Sequence, residues 1–393
     1  MATIGIDFGT TNSRVFYKRG DGDFVSLLRN KNGETIDSVR SILLEENNEI
    51  MCGNDIRGLN QEYEINIKKQ FHDLVKHNTY DAEIYNKVKV FFEYLISEAN
   101  KTLANWYSEN TYVDKVILSK PNLTVNYQAE IKKIVESINI KNSNRKIEVI
   151  AVLDEAVSVA VNKFDDISTG DERNILVVDI GGGTTDISGV KYDGKQFSVI
   201  ANSGIDNAGS WLDDNIYRYL LKKSSVSPTN NERLKLRNLE ECRAAKELVE
   251  NFNQRNFQIF DSNNIKRDVV LTHKEYEEIL LKFYQQVEML LLKTINECKV
   301  KKKDLEYVIY AGGTCSSNML RGLINSKFNL MDISYNEDFK VATAKGNARY
   351  VNMNNDLHNI INYSFGVDMM SRCNGELTAG IENLIFKGGL LLK

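Results

Sequence analysis

Two segments of this sequence repeat one short pattern, an aspartate followed by a turn rich in glycine and threonine. The first segment spans residues 7–13 and the second spans residues 179–186. Each follows an apolar run typical of a buried β-strand, at residues 2–6 and 175–178, and each leads into a further extended stretch with a glycine turn. A repeated strand–loop–hairpin unit predicts two homologous lobes rather than two unrelated domains.

The stretches between these segments carry helix signals. Residues 83–106 place apolar side chains at three- and four-residue steps, which predicts a helix with one buried stripe. Thr272 and Glu275 form a capping-box pattern, which predicts the start of a second long helix. A strand is predicted at residues 305–311, after that helix. Helices alternating with strands in this way are typical of an α/β fold.

The glycine turns suit the binding of phosphate groups. Several backbone N–H groups must converge on a phosphate, and glycine permits the close approach and the positive φ angles that this requires. The carboxylates that precede the turns, Asp7 and Asp179, would repel a bare phosphate, so we expect a magnesium ion between them and the phosphate, held through its own waters. One such turn is weak evidence against an ordinary hairpin, whereas two in one chain favour a phosphate clamp.

A third glycine turn, Gly312-Gly313-Thr314, follows the strand predicted at 305–311. Alone it is better explained as a tight connection from strand to helix, but beside two phosphate loops it can serve as a wall for a nucleoside. Two widespread phosphate motifs are absent from the sequence, since it has no G-x-x-x-x-G-K-[ST] and no G-x-G-x-x-G after an early strand.

Composition argues against several other classes of protein. The net charge is -4 and 26% of the residues are charged, values ordinary for a globular protein and unlike those of a basic nucleic-acid binder. The cysteines are scattered without a C-x-x-C and the histidines lack metal-ligand spacing, so neither a disulfide framework nor a zinc site is predicted. No uncharged apolar run could span a membrane and no signal peptide opens the sequence. We therefore expect a cytoplasmic protein with no membrane and no nucleic-acid partner.

In its glycine loops and in other segments along the chain, the sequence resembles the seventy-kilodalton heat-shock chaperone family, within the wider actin–hexokinase–chaperone ATPase group. The two loop segments are similar to the family's phosphate motifs, and three further segments are similar to its connecting helices and adenosine motif. In chain order the similar segments are residues 4–13, 153–156, 178–186, 309–314 and 342–348. The resemblance implies an α/β fold of two actin-like lobes built on ribonuclease-H-like repeats, with a short β-rich C-terminal tail.

The resemblance also implies limits for these parts. Residues 1–170 would form lobe I, with residues 341–357 returning to it, and residues 171–340 would form lobe II. Residues 358–393 would be a linker-like tail similar to the start of the family's peptide-binding β-domain. A complete β-domain with its helical lid needs many more residues. We therefore expect this sequence alone, whether trimmed or naturally short, not to clamp a peptide.

The resemblance assigns roles to individual residues. Mg²⁺, the implied metal, would be organised through water by Asp7 and Asp179. The implied catalytic residues are Lys68, Glu155, Asp179 and Thr184. The implied contacts to the cofactor, ATP or ADP, are Gly9, Thr10, Thr11, Asn12, Gly181, Gly182, Gly183, Thr184, Lys246, Gly312, Gly313 and Thr314. Without the resemblance, Lys68 and Glu155 would be interpreted as exposed charges.

Two departures from the family pattern concern the adenine pocket. The family commonly has E-x-A-K-R where this sequence has R-A-A-K-E at residues 243–247, so Lys246 is retained and the arginine is not. Ser316 stands where the family has an arginine shortly after its third glycine motif. Both arginines that stack on the base are absent from their usual places, which predicts altered recognition of the base and unaltered phosphate chemistry.

Three functions remain open at this stage. The first is a magnesium-dependent ATPase, the nucleotide-binding domain of a divergent heat-shock chaperone, in which closure of the lobes on ATP drives a partner or client-binding domain. J-domain and nucleotide-exchange co-chaperones and an unfolded client are then its implied partners, and we expect a monomer. The second is an actin-like ATPase that forms filaments, and the third is a nucleotide-sensing regulator with weak hydrolysis. A sugar kinase is least favoured, because no sugar-binding motif is recognisable beside the second loop.

Overall fold

The two apolar runs that precede the glycine loops form the central strands of two separate sheets in the computed structural model. The structure describes residues 1–20, 22–46, 49–56, 66–108, 110–121, 126–139, 146–163, 172–300, 304–334, 339–351, 365–373 and 376–385.

Helices and strands alternate along the described chain. The helices are α1 (Ile67–Lys76), α2 (Ala82–Trp106), α3 (Tyr127–Glu136), α4 (Glu155–Asn162), α5 (Gly209–Ser224), α6 (Glu232–Val249), α7 (His273–Val300), α8 (Asn318–Lys327) and α9 (Ala342–Tyr350). The strands are β1 (Ala2–Asp7), β2 (Asn12–Lys18), β3 (Phe24–Ser26), β4 (Leu28–Arg29), β5 (Thr35–Ile36), β6 (Val39–Arg40), β7 (Leu43–Glu46), β8 (Glu49–Cys52), β9 (Val113–Lys120), β10 (Glu148–Asp154), β11 (Arg173–Ile180), β12 (Thr185–Tyr192), β13 (Phe197–Ile205), β14 (Gln254–Phe260), β15 (Lys266–Thr272), β16 (Tyr307–Ala311), β17 (Met331–Asp332), β18 (Phe365–Cys373) and β19 (Glu376–Ile385).

The first sheet has the order β10-β9-β1-β2-β3, with β6 paired to the start of β2. β1 and β2 are antiparallel neighbours, and their register places Asp7 opposite Arg14. β9 runs parallel to β1, and β10 runs parallel to β9. Ile4 and Ile6 of β1 are fully buried in one core with the apolar stripe of α2. The loop that follows β1 is therefore held at the end of a buried central strand.

The second sheet repeats the arrangement of the first. Its order is β13-β12-β11-β16-β17, in which β11 and β12 form an antiparallel hairpin and β16 runs parallel to β11. β11 thus takes the place that β1 has in the first sheet, and β12 takes the place of β2. The predicted α/β fold with two similar lobes is confirmed by this topology.

Both long helices begin at the caps that the chain supplies. At α2 the Asp81 side chain accepts hydrogen bonds from the backbone N–H groups of Glu83 and Ile84. Before α7, Thr272 and Glu275 accept hydrogen bonds from each other's backbone N–H groups, which confirms the predicted capping box. The apolar stripes of α2 and α7 then pack against the first and second sheets.

Two short helices, α4 and α9, connect the sheets. α4 packs on the second sheet, and α9 packs on β1 and β2 of the first. They lie so close together that a Cβ atom on Gly346 of α9 would be 1.8 Å from the backbone oxygen of Ser158 in α4. The Ser158 hydroxyl donates to Asn347 Oδ1 at 2.7 Å, and Asn347 Nδ2 donates to the backbone oxygen of Ile6 at 2.9 Å. A buried polar chain therefore ties β1 to both connecting helices.

The remaining strands form separate two-stranded sheets, which pair β4 with β5, β7 with β8, β14 with β15 and β18 with β19. Of the predicted tail, residues 358–393, the structure describes only residues 365–373 and 376–385, the hairpin of β18 and β19. Residues 352–357, expected to return to lobe I, lie outside the described residues. The lobe boundaries placed at residues 170 and 340 stay a prediction. None of the described helices combines the length and apolarity needed to cross a bilayer.

Candidate functional site

The two glycine–threonine loops meet face to face between the lobes. A Cβ atom on Gly182 would lie 2.2 Å from Oγ1 of Thr11, and one on Gly183 would lie 3.1 Å from Cγ2 of Thr10. A Cβ atom at position 182 would force the Thr11 hydroxyl to move, so glycine allows this close approach. Both loops line one cavity of about 290 Å³ in the cleft.

Hydrogen bonds and backbone geometry hold the second loop in place. Its turn is closed by the backbone N–H of Gly181, which donates to the backbone oxygen of Thr184 at 3.0 Å. The third glycine turn packs directly against this loop. Gly312 there has φ of +82°, and a Cβ atom on it would lie 2.3 Å from the backbone oxygen of Ile180. The Thr314 hydroxyl also donates to the backbone oxygen of Gly181 at 2.8 Å. All three glycine turns therefore belong to one site.

The N-terminus of helix α5 contacts the second loop, and Lys246 links α6 to α5. The backbone N–H groups of Gly209 and Ser210 donate to carbonyl oxygens of the loop at 3.1 and 2.7 Å. Lys246 Nζ donates to the backbone oxygen of Gly209 at 2.8 Å and to Asp213 Oδ1 at 2.6 Å. Lys246 therefore lines the cavity while its ammonium group holds the two helices together.

Lys68 and Glu155 form a buried ion pair in the cleft. Lys68 Nζ lies 2.6 Å from Glu155 Oε1, and the two side chains are only 10% and 14% exposed. Burial opposes the charge on Lys68, but the carboxylates of Glu155 and Asp7 raise the pKa of its ammonium group above the ordinary value. A pair so buried carries a large desolvation cost. Such a pair in a cleft is more typical of a functional site than of a stabilising contact.

Buried carboxylates in and beside the cleft crowd one another. Burial raises the pKa of Asp179 well above its ordinary value, and the neighbouring charges of Glu155 and Asp186 raise it further. Burial and the charge of Glu155 also raise the pKa of Asp186 to about 7. Crowded carboxylate oxygens fit a hard divalent cation such as Mg²⁺. In the part of the chain that the structure describes, no three potential metal ligands converge, so the ion would need waters or phosphate oxygens among its ligands.

Asp7 differs from Asp179 because a cation lies beside it. Nη1 of Arg14 is 3.4 Å from Asp7 Oδ2, and the two side chains are 11% and 13% exposed. Burial raises the pKa of Asp7, while the charges of Arg14 and Lys68 partly offset that rise. Arg14 was not predicted as a site residue, although it lies only three positions after Thr11.

Every residue predicted for the site lines the same cavity. The predicted catalytic and metal-organising residues in its lining are Asp7, Lys68, Glu155, Asp179 and Thr184. The predicted cofactor contacts in its lining are Gly9, Thr10, Thr11, Asn12, Gly181, Gly182, Gly183, Thr184, Lys246, Gly312, Gly313 and Thr314. The polar residues that sequence reasoning missed include Arg14, Ser210, Asp213, Glu250 and Asn251. The site is thus assembled, while the individual roles stay predictions.

Comparison with known families adds the decisive observation. A family model described as "Hsp70 protein" matches residues 146–353, which is more than half of the chain. The chain belongs to the Hsp70 family. The matched range includes Glu155, the second phosphate loop, Lys246 and the third glycine turn, all of which line the cavity.

Several relatives of this Hsp70-family chain are named as chaperones. "Chaperone protein DnaK" of Metamycoplasma hominis is 23% identical over 337 residues, which cover 82% of this chain and 54% of the relative. "Chaperone protein DnaK" of Mycoplasma mobile is 25% identical over 342 residues, with coverage of 83% and 54%. "Chaperone protein HscA" of Buchnera aphidicola is 25% identical over 359 residues, with coverage of 83% and 65%. The chain spans about half the length of the DnaK relatives that it matches.

Two residues of the cavity lining depart from the Hsp70 pattern. Arg243 and Ser316, which stand where the family has a glutamate and an arginine, both line the cavity. Glu250, just beyond α6, accepts hydrogen bonds from the Ser317 hydroxyl and from the backbone N–H of Met319 at 3.2 Å. Glu250 therefore joins α6 to the start of α8, and Arg243 adds a cation to the cavity lining.

Proposed function

We propose that this chain binds ATP and hydrolyses it to ADP and phosphate with Mg²⁺, as the nucleotide-binding unit of a divergent Hsp70 chaperone. The observation that supports this most is the contact between two homologous loops, Thr11 against Gly182, over one polar cavity. Membership of the Hsp70 family supports it further, because the DnaK and HscA relatives are named as chaperones.

The residues of the chain divide the work of phosphoryl transfer between binding and positioning. Backbone N–H groups of residues 9–11 and 182–184 bind and orient the phosphates. Lys68 supplies a buried positive charge beside them, and its partner Glu155 orients the attacking water. When bound, Mg²⁺ supplies charge neutralisation at the phosphates, and Asp7 and Asp179 are the residues that would hold it through water. Positioning and charge neutralisation are most of what this reaction requires.

The position of the site between two lobes supports a switching role. A nucleotide whose phosphates contact both loops would draw the lobes together, and hydrolysis would relax them. The connecting helices α4 and α9 are the elements about which such closure would occur. We propose that the movement acts on a partner or client-binding domain. J-domain and exchange co-chaperones and an unfolded client are the partners this implies, with the chain as a cytoplasmic monomer.

Steady-state ATP turnover of the purified chain, with and without Mg²⁺, tests the proposal. Lys68→Ala and Thr184→Ala are expected to lower kcat by about 10²- to 10³-fold, the usual loss when a group that stabilises transition-state charge is removed. Lys69→Ala is a matched control and should leave turnover unchanged, because Lys69 is the exposed neighbour of Lys68 on α1.

Thermal melting of each variant separates loss of function from loss of fold. Lys68→Ala leaves Glu155 buried without its partner and is expected to be clearly less stable. The Thr184 side chain is exposed but hydrogen-bonds to Asp186, so its removal should lower the melting temperature by less. The ATPase proposal fails if the native chain shows no turnover above background with Mg²⁺. It also fails if Lys69→Ala loses as much activity as Lys68→Ala.

A nucleotide-sensing regulator with weak hydrolysis is the second candidate. The altered base end of the cavity, with Arg243 and Ser316, favours it. Calorimetric binding of ATP by a chain that shows no measurable turnover would select this function over the ATPase.

A further inference from the structure

Arg14 is a largely buried cation at the phosphate end of the cleft. It lies on β2 directly opposite Asp7 of β1, and residues opposite each other in an antiparallel pair present their side chains on the same face. Its side chain is 11% exposed and lines the same cavity as Lys68 and both phosphate loops. The fold therefore places a permanent positive charge where the nucleotide phosphates are expected.

The hydrogen-bonding capacity of Arg14 is mostly unused. A guanidinium group carries five N–H donors in a planar fork. Only Nη1 makes contacts with other described residues, at 3.4 Å to Asp7 Oδ2 and 3.5 Å to the backbone oxygen of Asn12. Both distances are long for hydrogen bonds. Nε is buried and has no hydrogen-bond partner among the described residues.

The charges in the cleft show what this cation can do. Lys68 is committed to Glu155 and Lys246 is committed to Asp213, each at 2.6 Å. Arg14 is held only loosely by Asp7, so its guanidinium can turn part of its fork to another anion. Guanidinium and phosphate match in geometry because parallel N–H groups can bind two phosphate oxygens at once. A guanidinium supplied within the chain is also a known means of stabilising charge during phosphoryl transfer.

We propose that Arg14 binds the phosphates of the nucleotide and supplies part of the positive charge that a divalent ion otherwise provides beside Asp7. The proposal rests on the proposed nucleotide-binding function and extends it. Nucleotide binding by this chain then tolerates the removal of divalent metal, whereas hydrolysis still requires an ion at the crowded carboxylates around Asp179. The competing explanation is that Arg14 is only an internal counter-ion that stabilises Asp7.

Titration calorimetry with a non-hydrolysable ATP analogue, in Mg²⁺ and in EDTA at matched ionic strength, tests the proposal. The native chain is expected to lose less than about tenfold in affinity for the analogue on removal of Mg²⁺. Arg14→Ala is expected to lose about a hundredfold on the same change, a difference that calorimetry resolves. Arg14→Lys, which keeps the charge without the fork, should fall between them. Arg19→Ala is the matched control, because Arg19 follows β2, pairs with the exposed Asp23 and lies outside the cleft.

The possible results are distinct. If Arg14 is only a counter-ion, Arg14→Ala melts at a lower temperature but keeps the native ratio of affinities in Mg²⁺ and EDTA, which overturns the proposal. A native chain that binds the analogue in Mg²⁺ and loses a hundredfold or more in EDTA, by the same affinity arithmetic, also overturns it and leaves the proposed function intact. A native chain that binds the analogue in neither buffer overturns the proposed function as well. Should Arg14→Ala fail to fold, the native chain and Arg14→Lys decide between these results.

Discussion

At the scale of single residues, the cleft and its surroundings concentrate more buried carboxylates than the described cations balance. Asp179 and Asp186 lie opposite each other on β11 and β12, with Glu155 close to both. Lys68 pairs with Glu155. Among the described residues, no cationic side chain forms an ion pair with either aspartate. Crowded carboxylates disfavour the folded state until a bound cation compensates them.

Asp179→Asn is therefore expected to stabilise the nucleotide-free protein while it abolishes turnover. The substitution removes a buried charge from a group of like charges, which should raise the free energy of unfolding by about 1–2 kcal/mol. Urea denaturation in EDTA at pH 8 measures the change. Asp193→Asn is the control. The Asp193 carboxylate accepts hydrogen bonds from the backbone N–H groups of Lys195 and Gln196 in an exposed turn, so this variant should be less stable than the native chain. A loss of stability in both variants contradicts the charge account.

The residues of the site were only partly predictable from the sequence. Both aspartates and both loops follow apolar runs, so a local pattern reveals them. Residue type alone predicts Lys68 and Glu155 to be exposed, and that interpretation is wrong because α1 and α4 meet only in the folded lobe. Arg14 was missed because its partner Asp7 is a neighbour through strand pairing and not through a recognisable motif.

At the scale of elements, the contact between α4 and α9 depends on glycine. Gly346 has no space for a Cβ atom, since the backbone oxygen of Ser158 would lie 1.8 Å from it. Gly5 on β1 also lies close to α9, with the backbone nitrogen of Ala348 at 2.3 Å from a Cβ position. Sequence patterns predicted the long helices α2 and α7 well, because apolar periodicity and caps are local signals. They could not predict this contact, because a glycine within a short helix only indicates weak helix propensity.

Gly346→Ala and Gly322→Ala are expected to change stability in opposite directions. The added methyl group at position 346 must push the two connecting helices apart, which should cost about 3 kcal/mol or more of unfolding free energy. Gly322 lies on the exposed side of α8 with nothing within 4 Å of its Cβ position. Alanine there should raise stability by about 0.5–1 kcal/mol through helix propensity. Chemical denaturation measures both, and equal effects would contradict the close contact of α4 with α9.

At the scale of the whole molecule, an ion pair between described residues joins the lobes. Nη2 of Arg40, on β6, lies 2.7 Å from Oε1 of Glu240 on α6, and the two side chains are 38% and 34% exposed. β6 belongs to the first sheet and α6 packs with α5 beside the second. A pair this exposed contributes little to stability, but it must break when the lobes separate.

Arg40→Ala and Glu240→Ala are each expected to speed nucleotide release by about two- to fivefold, the effect of a half-exposed ion pair worth under 1 kcal/mol. Stopped-flow displacement of a fluorescent ADP measures the rate, and high salt should produce the same acceleration in the native chain. Lys101→Ala, which removes an exposed pair with Glu98 inside α2, is the matched control. Release rates unchanged in both cross-lobe variants would show that the pair does not restrain opening.

Hydrogen–deuterium exchange with and without ATP tests most directly that the two loops bind one nucleotide between the lobes. Backbone amides of residues 9–12 and of residues 182–184 are expected to become protected together on addition of the nucleotide, because the phosphates would contact both loops. The surface helix α3 serves as an internal reference and should be unaffected. Protection of one loop alone, or of neither, would contradict the assignment of the cleft as a nucleotide site shared by both lobes.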